Sequence, residues 1–237
     1  MNKHFSFKQF TVNQDQCAMK IGTDGVLLGA WTSIKHNPES ILDIGTGTGV
    51  IALQLAQRSD AEIIDAIEID DSAFEQAVEN FENSPWGDRL FCYHASLEEF
   101  TNEIDDNYDL IISNPPFYND AFQSDDNARN TARFTDSLPF NILLKSVSKL
   151  LSSHGIFTVI IPFKEEENFI NLAKGHNLFV NTICNVKGTP TSDIKRSLLE
   201  FSFTENEVII EDMVIETTRH QYTDTYIELV KDFYLKM

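Results

Sequence analysis

An amide, two prolines and an aromatic ring close a hydrophobic segment in the middle of the chain. The segment Tyr108–Ser113 is typical of a buried strand, and Asn114-Pro115-Pro116-Phe117 follows it directly. The prolines fix φ and remove two backbone donors, so this corner is rigid and its carbonyls are left outside any sheet ladder. The Asn114 amide and the Pro115 carbonyl could accept hydrogen bonds from one planar amino group, while Phe117 offers a face to a flat ring. The pattern favours a site for a nucleobase amine or a carboxamide; a purely structural turn is the alternative.

A glycine-rich turn upstream is the second candidate site. It lies between a short apolar strand at 40–44 and a segment with helical apolar spacing at 50–56. In nucleotide-binding α/β sheets, glycines at this place let the backbone approach a ligand closely. Gly45, Gly47 and Gly49 follow the spacing G-x-G-x-G, not the G-x-G-x-x-G that seats a pyrophosphate on a helix N-terminus. The turn therefore suits a nucleoside-type cofactor without phosphate.

An acidic residue at the end of the next strand could bind the ribose of such a cofactor. In folds of this kind that acid lies about 20 residues beyond the glycine turn, and both Glu68 and Asp70 fit. Glu68 is preferred because it ends the predicted strand, whereas Asp70 is placed to cap the following helix. Ser96, in the loop after the third predicted strand, is expected to face the cofactor's base.

An alternating α/β sheet is predicted to position these residues. Strands are expected near 41–44, 63–69, 90–94, 109–113, 156–161, 178–186 and 197–204, and helices near 24–30, 49–58, 71–83, 140–151, 164–175 and 222–235. Parallel strands that end together place the glycine turn, Glu68, Ser96 and Asn114 on one edge of the sheet.

Length and composition indicate one globular domain. The chain has 237 residues, of which 42% are hydrophobic and 23% charged, which is ordinary for a soluble protein. Residues 1–36 are expected to form an N-terminal extension over the site, and residues 207–237 a hairpin strand and a packed helix. No apolar run approaches the roughly 20 residues of a membrane helix, and the three cysteines lack metal-ligand spacing. No membrane and no metal are therefore expected, and a reducing cytoplasm is the expected location.

Charge argues in two directions. The net charge is −19, from 18 Lys and Arg against 37 Asp and Glu. This balance disfavours a nucleic-acid partner, because phosphate contacts dominate such affinity. Two groups of basic residues nevertheless follow the Asn-Pro-Pro-Phe corner and a later predicted loop: Arg129, Arg133, Lys145 and Lys149, then Lys187, Lys195 and Arg196. The sequence is compatible with a basic rim on an acidic body.

Three motifs together resemble those of the class I S-adenosylmethionine-dependent methyltransferases. They are Asp-Ile-Gly-Thr-Gly-Thr-Gly at 43–49, Glu68-Ile69-Asp70 and Asn114-Pro115-Pro116-Phe117. Within this class, the Asn-Pro-Pro-aromatic corner belongs to enzymes that methylate planar nitrogen. The run 19–31, Met-Lys-Ile-Gly-Thr-Asp-Gly-Val-Leu-Leu-Gly-Ala-Trp, is similar to that of bacterial tRNA (adenine-N6) methyltransferases that modify the adenine next to the anticodon of a valine tRNA. Later matches at 132–133, 136–140 and 195–201 extend the similarity over nearly the whole chain, although the acidity is unusual for a tRNA enzyme.

The resemblance implies a Rossmann-like fold with a seven-stranded, mostly parallel sheet, helices on both faces and an antiparallel edge strand. It implies S-adenosylmethionine as cofactor, S-adenosylhomocysteine as product, and a tRNA adenine N6 as the methyl acceptor. Asn114 and the Pro115 carbonyl would localise the amine's lone pair and aim it at the sulfonium methyl, with no metal or covalent nucleophile. Phe117, with Tyr118, would receive a base that leaves its stack.

The same resemblance assigns roles around the cofactor. Glu68 would hold the ribose hydroxyls, and Asp43 would orient the glycine turn or meet the amino group. Gly22, Thr23 and Asp24 would close over the cofactor, with helix capping as the alternative for Asp24. The predicted cofactor-binding residues are Gly22, Thr23, Asp43, Gly45, Thr46, Gly47, Gly49, Glu68, Ile69, Ser96 and Asn114. The predicted catalytic residues are Asn114, Pro115 and Phe117, and the predicted substrate-binding residues are Pro116, Tyr118, Arg133, Lys195 and Arg196.

Other functions stay open at this point. The same chemistry could act on a guanine N2 in rRNA or on a protein glutamine amide. A nicotinamide-dependent oxidoreductase is disfavoured by the G-x-G-x-G spacing, and a catalytically silent nucleotide-binding module by the intact Asn-Pro-Pro-Phe corner. The sequence does not indicate an oligomeric state, and a monomer is the default expectation.

Overall fold

In a computed structural model, which describes residues 3–116 and 138–237, most strands join one large twisted sheet. The described strands are β1 (His4–Ser6), β2 (Thr11–Asn13), β3 (Ser40–Ile44), β4 (Ile63–Glu68), β5 (Leu90–His94), β6 (Tyr108–Ser113), β7 (Leu151–Pro162), β8 (Phe179–Lys187), β9 (Ile194–Ser202), β10 (Ile209–Val214), β11 (Glu216–Thr218) and β12 (Gln221–Tyr222). The described helices are α1 (Thr23–Trp31), α2 (Val50–Arg58), α3 (Asp71–Glu82), α4 (Leu97–Glu103), α5 (Phe140–Leu150), α6 (Glu166–Lys174) and α7 (Asp224–Val230).

The central sheet has the strand order β10-β8-β9-β7-β6-β3-β4-β5. All neighbouring pairs are parallel except the two that involve β9, which runs antiparallel to both β7 and β8. The predicted α/β class with a mostly parallel sheet is confirmed. Two details differ: the sheet has eight strands where seven were expected, and the antiparallel strand lies inside the sheet, because β10 pairs parallel with β8 and forms the edge.

Helices cover both faces of the sheet, so its central strands are buried on both sides. Along β6, Leu110 and Ile112 join the core formed with α1 and α2, whereas Ile111 joins the core formed with α5 and α6. Such strands are apolar at consecutive positions and do not alternate. Their burial explains why β3 and β6 could be recognised from short apolar runs.

Helix α1 packs very closely on α2 through two glycines one helical turn apart. A Cβ at Gly29 would lie 2.5 Å from Gln54 Oε1, and one at Gly25 would lie 3.5 Å from Val50 Cγ1. Gln54 Nε2 donates to the Val26 carbonyl (3.0 Å) in this contact. The Gly-x-x-x-Gly spacing therefore lets α1 lie close against α2.

Residues 207–237 form β10, the small antiparallel hairpin β11–β12 and α7, which contacts α1 and β10. At the other end, β1 and β2 form a two-stranded sheet, and Phe7 bridges to Tyr234. Among the described residues, no helix combines the length and the apolar character that a membrane crossing needs.

Candidate active site

The glycine turn after β3 takes a backbone conformation that only glycine adopts readily. Gly45, Gly47 and Gly49 have φ values of 70°, 56° and 80°. A Cβ at Gly45 or Gly47 would meet nothing within 4 Å, whereas one at Gly49 would lie 2.5 Å from Phe81 Cε1. The first two glycines therefore line open space, and the third packs against α3.

Asp43 is a completely buried carboxyl at the base of this turn. Thr46 Oγ1 donates to its Oδ2 (2.6 Å), while Oδ1 has no hydrogen-bond partner. Burial raises the pKa of Asp43 to about 7, an effect that the Thr46 bond and the nearby Ala52 amide only partly offset. An unsatisfied buried carboxylate oxygen is costly, and it is well suited to a cationic amine or ammonium group.

Glu68 ends β4 and faces the turn across a short gap. Its Oε2 accepts from the Gly47 amide (2.8 Å), and its Oε1 accepts from the amides of Ile69 (2.8 Å) and Asp70 (3.0 Å). The Asp70 side chain accepts from the Ala73 amide (2.8 Å) and caps α3. The predicted division between a capping Asp70 and a strand-end Glu68 is thus present, with the exposed Ile69 between them.

Ser96 follows β5 and caps α4. Its hydroxyl accepts from the Glu99 amide (3.2 Å), and Glu99 Oε2 accepts from the Ser96 backbone amide (3.0 Å), which completes a capping box; the hydroxyl also donates to Glu99 Oε2 (2.7 Å). The hydroxyl is therefore engaged in helix capping, and the expected contact between Ser96 and the cofactor's base stays a prediction.

The Asn114 corner lies beside the glycine turn because β6 pairs with β3. Ile44 and Ser113 are directly opposed, and Ser113 Oγ donates to the Ile44 carbonyl (2.9 Å). Asn114 is half-buried, Pro115 is buried and Pro116 is exposed. Phe117, Tyr118 and Arg133, which were predicted to receive the base or bind substrate, lie outside the described residues.

The start of α1 lies beside the Asn114 corner. Gly22 and Thr23 are exposed there, and a Cβ at Gly25 would lie 3.9 Å from Asn114 Nδ2. Gly22 is the N-cap residue of α1 without any side-chain cap, so the capping alternative for Asp24 is wrong. Asp24 instead pairs with Arg196 Nε at 2.8 Å.

Two buried amides on α3 were not foreseen. Asn80 Nδ2 donates to the carbonyls of Thr48 (2.8 Å) and Asn13 (2.8 Å), and its Oδ1 accepts from the Asn13 amide (2.7 Å). Gln76 Oε1 accepts from the Gln16 amide (2.9 Å). These side chains tie the N-terminal segment to the glycine turn. The signal in the sequence was the i, i+4 spacing of two amides on the apolar face of a helix, where buried polar groups must find partners.

Comparisons with known proteins agree with this geometry. Residues 23–137 match the family model described as Methyltransferase small domain. A tRNA1(Val) (adenine(37)-N6)-methyltransferase from Christiangramia forsetii is 59% identical over 238 residues, covering 100% of this chain and 99% of the relative. One of the same name from Flavobacterium johnsoniae is 61% identical over 234 residues, covering 98% of this chain and 100% of the relative. The chain belongs to this methyltransferase family.

Solved structures support the fold more distantly. A "predicted O-methyltransferase" from Agrobacterium tumefaciens superposes with a TM-score of 0.68 at 18% identity, covering 89% of this chain and 96% of the other. The ribosomal protein L11 methylase from Lactobacillus delbrueckii subsp. bulgaricus gives a TM-score of 0.54 at 15% identity and covers 77% of each chain. At these identities the likeness concerns the fold alone, and it confirms the predicted α/β fold.

Proposed function

We propose that this protein transfers a methyl group from S-adenosylmethionine to the N6 amine of adenine in the anticodon loop of a valine tRNA. Its full-length relatives carry the name of that activity. The observation that carries the proposal is the position of the Asn114 corner. It is rigid, reaches the surface at Pro116, and lies next to the glycine turn through the β3–β6 pairing.

The residues around the turn fit the proposed cofactor. Open space in front of Gly45 and Gly47 admits a ligand against the backbone, and the unpartnered Oδ1 of Asp43 offers an acceptor to an amino group. Glu68 presents a carboxylate at the strand end where ribose hydroxyls are bound in related folds. When bound, S-adenosylmethionine supplies an electrophilic methyl group on a sulfonium.

Asn114 and Pro115 would prepare the acceptor amine. An adenine N6 is a poor nucleophile because its lone pair is delocalised into the ring. Hydrogen bonds from its two protons to the Asn114 amide oxygen and the Pro115 carbonyl would localise that pair and fix its direction. Because Pro115 and Pro116 hold the backbone, both acceptors are preorganised before the base arrives. The proposed step uses no metal ion.

The target base must leave the anticodon stack to reach this corner. We propose that Phe117 and Tyr118 stack on it and that Pro116 and Arg133 contact the substrate. We also propose a cytoplasmic monomer in which residues 1–237 act as one methyltransferase domain. Sedimentation of the purified protein, with and without tRNA, tests whether it is a monomer.

Methyl transfer to separate acceptors tests the function. Purified protein is incubated with S-adenosylmethionine labelled at the methyl group and with tRNA, rRNA or release factor in separate reactions. Label is expected in tRNA, and mass spectrometry of tRNA from a deletion strain should lack one N6-methyladenosine. Label in rRNA guanine or in a protein glutamine, with none in tRNA, would reassign the acceptor.

A further inference from the structure

The reversed direction of β9 brings basic residues to the carboxyl edge of the sheet. Pro162 at the end of β7 pairs with Arg196, and Arg196 pairs with Val186 near the end of β8. The first residues of β9 therefore lie where its neighbours end. Lys195 and Arg196 belong to this strand and not to a loop, and they share the edge with Lys187 at the end of β8.

A fourth and a fifth cation reach the same edge by other routes. Lys164 lies in the helical turn Phe163–Glu165 that follows β7. After β10, the Ile215 amide bonds to the Lys187 carbonyl (3.0 Å) and the Glu216 amide to the Gly188 carbonyl (2.9 Å). The hairpin β11–β12 thus begins beside β8 and carries the exposed Arg219 in its turn. We call these five residues the basic shoulder: Lys164, Lys187, Lys195, Arg196 and Arg219.

The basic shoulder stands above the Asn114 corner. Ser113 pairs with Val159, so Asn114 is level with Ile160, two residues before Pro162. At about 3.3 Å per residue, the end of β7 rises roughly 7 Å beyond Asn114, and at about 4.8 Å between strands β9 lies roughly 10 Å to one side. The basic shoulder is therefore close enough to Asn114 to contact the nucleotides next to a base held there.

An exposed aromatic ring lies among these cations. Phe163 follows Pro162 directly and is 40% exposed, although phenylalanine is usually buried. Proteins that bind single-stranded nucleic acid combine cations along the backbone with aromatic rings on which bases stack. Phe163 and the basic shoulder provide both components.

The loops at the opposite edge of the sheet are strongly acidic. Eight exposed acidic residues occupy its loops: Glu39, Asp60, Glu62, Asp88, Asp105, Asp106, Glu205 and Glu207. At the basic shoulder, five acidic residues lie within three positions of a cation in the sequence (Glu165, Glu166, Glu167, Asp193 and Glu216), and Asp24 pairs with Arg196. The acidic loops of the amino edge repel an anionic polymer, whereas the carboxyl edge offers it the exposed side chains of Lys164, Lys195 and Arg219.

We propose that the basic shoulder and Phe163 bind the tRNA strand on one side of the target nucleotide, with the cations on its phosphates and the ring on a flanking base. This inference rests on the proposed function and adds the path of the RNA. Arg196 has a second role, because its pair with Asp24 joins β9 to the start of α1. The test variants therefore leave Arg196 unchanged.

The test compares two charge-matched double variants. Lys187→Gln/Lys195→Gln removes two cations from the basic shoulder, and Lys35→Gln/Lys174→Gln removes two from the amino-edge side, where both lysines are exposed. The first should raise the KM for tRNA on the order of tenfold, with kcat and the Kd for S-adenosylmethionine unchanged. It should also lower the slope of log affinity against log salt by about 0.7–0.9 for each phosphate that the protein no longer neutralises. The control should match the unmodified protein.

A second variant separates stacking from charge. Phe163→Ala should raise the KM for tRNA severalfold and leave the salt slope unchanged. Equal effects of the two double variants, or an unchanged salt slope in Lys187→Gln/Lys195→Gln, would overturn the proposal. Failure of the function itself would look different, since the unmodified protein would then methylate no tRNA and bind it no better than a control RNA.

Discussion

The two halves of the carboxyl edge differ in charge and in depth. On the side of β3 and β4, a buried carboxyl (Asp43), a strand-end carboxylate (Glu68) and glycine backbone form a recessed, acidic site. On the side of β7, β8 and β9, lysines and an exposed phenylalanine form a raised, basic surface. β6 lies between them and ends at Ser113, directly before Asn114. Each half suits one of two ligands of opposite charge, a cationic cofactor and an anionic RNA.

This division explains why the net charge was a poor guide to the partner. The value of −19 averages over the whole surface, whereas an approaching RNA responds to the field near the edge that it meets. A basic rim on an acidic body is compatible with the sequence, and the arrangement of the strands assigns it to one half of one edge.

Replacing Asn114, which lies between the two halves of the edge, should have the largest effect. Asn114→Ala removes one of the two acceptors that would orient the amine, so kcat should fall by about 10²–10³-fold. Because Asn114 follows β6, outside the turn and Glu68, the Kd for S-adenosylmethionine should stay within a few-fold. Single-turnover methyl transfer and calorimetric titration of the cofactor measure the two quantities.

The exposed Asn206, in the loop between β9 and β10, provides the control for this change. Asn206→Ala should leave both quantities unaltered. Near-normal turnover on tRNA by Asn114→Ala would show that this amide does not hold the acceptor base, and the two halves of the edge would then lack a common reaction centre.

The parts that sequence reasoning found are those set by local spacing. Glycines, a strand-end acid and a proline corner each follow a short apolar run, and parallel strands bring such ends together whatever their order. The basic shoulder depends on non-local pairing. Lys195 and Arg196 reach the edge only because β9 is reversed. The strand expected within 207–237 was not assigned to the main sheet, because Ile209–Val214 begins with four exposed residues, two apolar and two acidic, without alternation. Asn80 depends on a contact with Asn13, 67 positions away.

A methyl group added inside the acidic half should weaken binding of the cofactor without affecting binding of RNA. Gly47→Ala places a Cβ in the open space of the turn and forces alanine to a φ of 56°. The Kd for S-adenosylmethionine should rise on the order of tenfold, and the free energy of unfolding should fall by about 1 kcal/mol from the left-handed backbone. The affinity for tRNA without cofactor should not change.

The control for Gly47→Ala is Gly188→Ala. A Cβ at Gly188 has its nearest neighbour, Ser192 Oγ, at 3.8 Å, and this glycine is outside the left-handed region. Cofactor affinity should be unaffected there. A loss of stability in Gly47→Ala with unchanged cofactor affinity would mean that the turn does not face the cofactor.

The smallest expected effect is the pH dependence that Asp43 gives to the acidic half. Burial raises the pKa of Asp43 from 3.8 to about 7, so the folded protein holds this proton more tightly than the unfolded chain does. The stabilisation is complete below about pH 4, is lost as the pH rises through about 7, and changes no further above that. A cationic ligand favours the ionised carboxylate, so the Kd for S-adenosylmethionine should fall a few-fold between about pH 6 and pH 8.

Asp65 provides a matched control for Asp43. Asp65 lies in β4, three positions before Glu68, and is also buried, which raises its pKa. Its carboxylate accepts a hydrogen bond from Tyr108 Oη (2.6 Å). Asp43→Asn should remove the contribution of Asp43 to the pH dependence of both unfolding and cofactor binding, measured by denaturant titration and calorimetry. Asp65→Asn should alter only unfolding, because the titration of Asp65 is coupled to folding but not to the ligand. If both substitutions changed the cofactor's pH profile equally, the effect would reflect the charge of the sheet as a whole, and Asp43 would not act on the cofactor through its unpartnered oxygen.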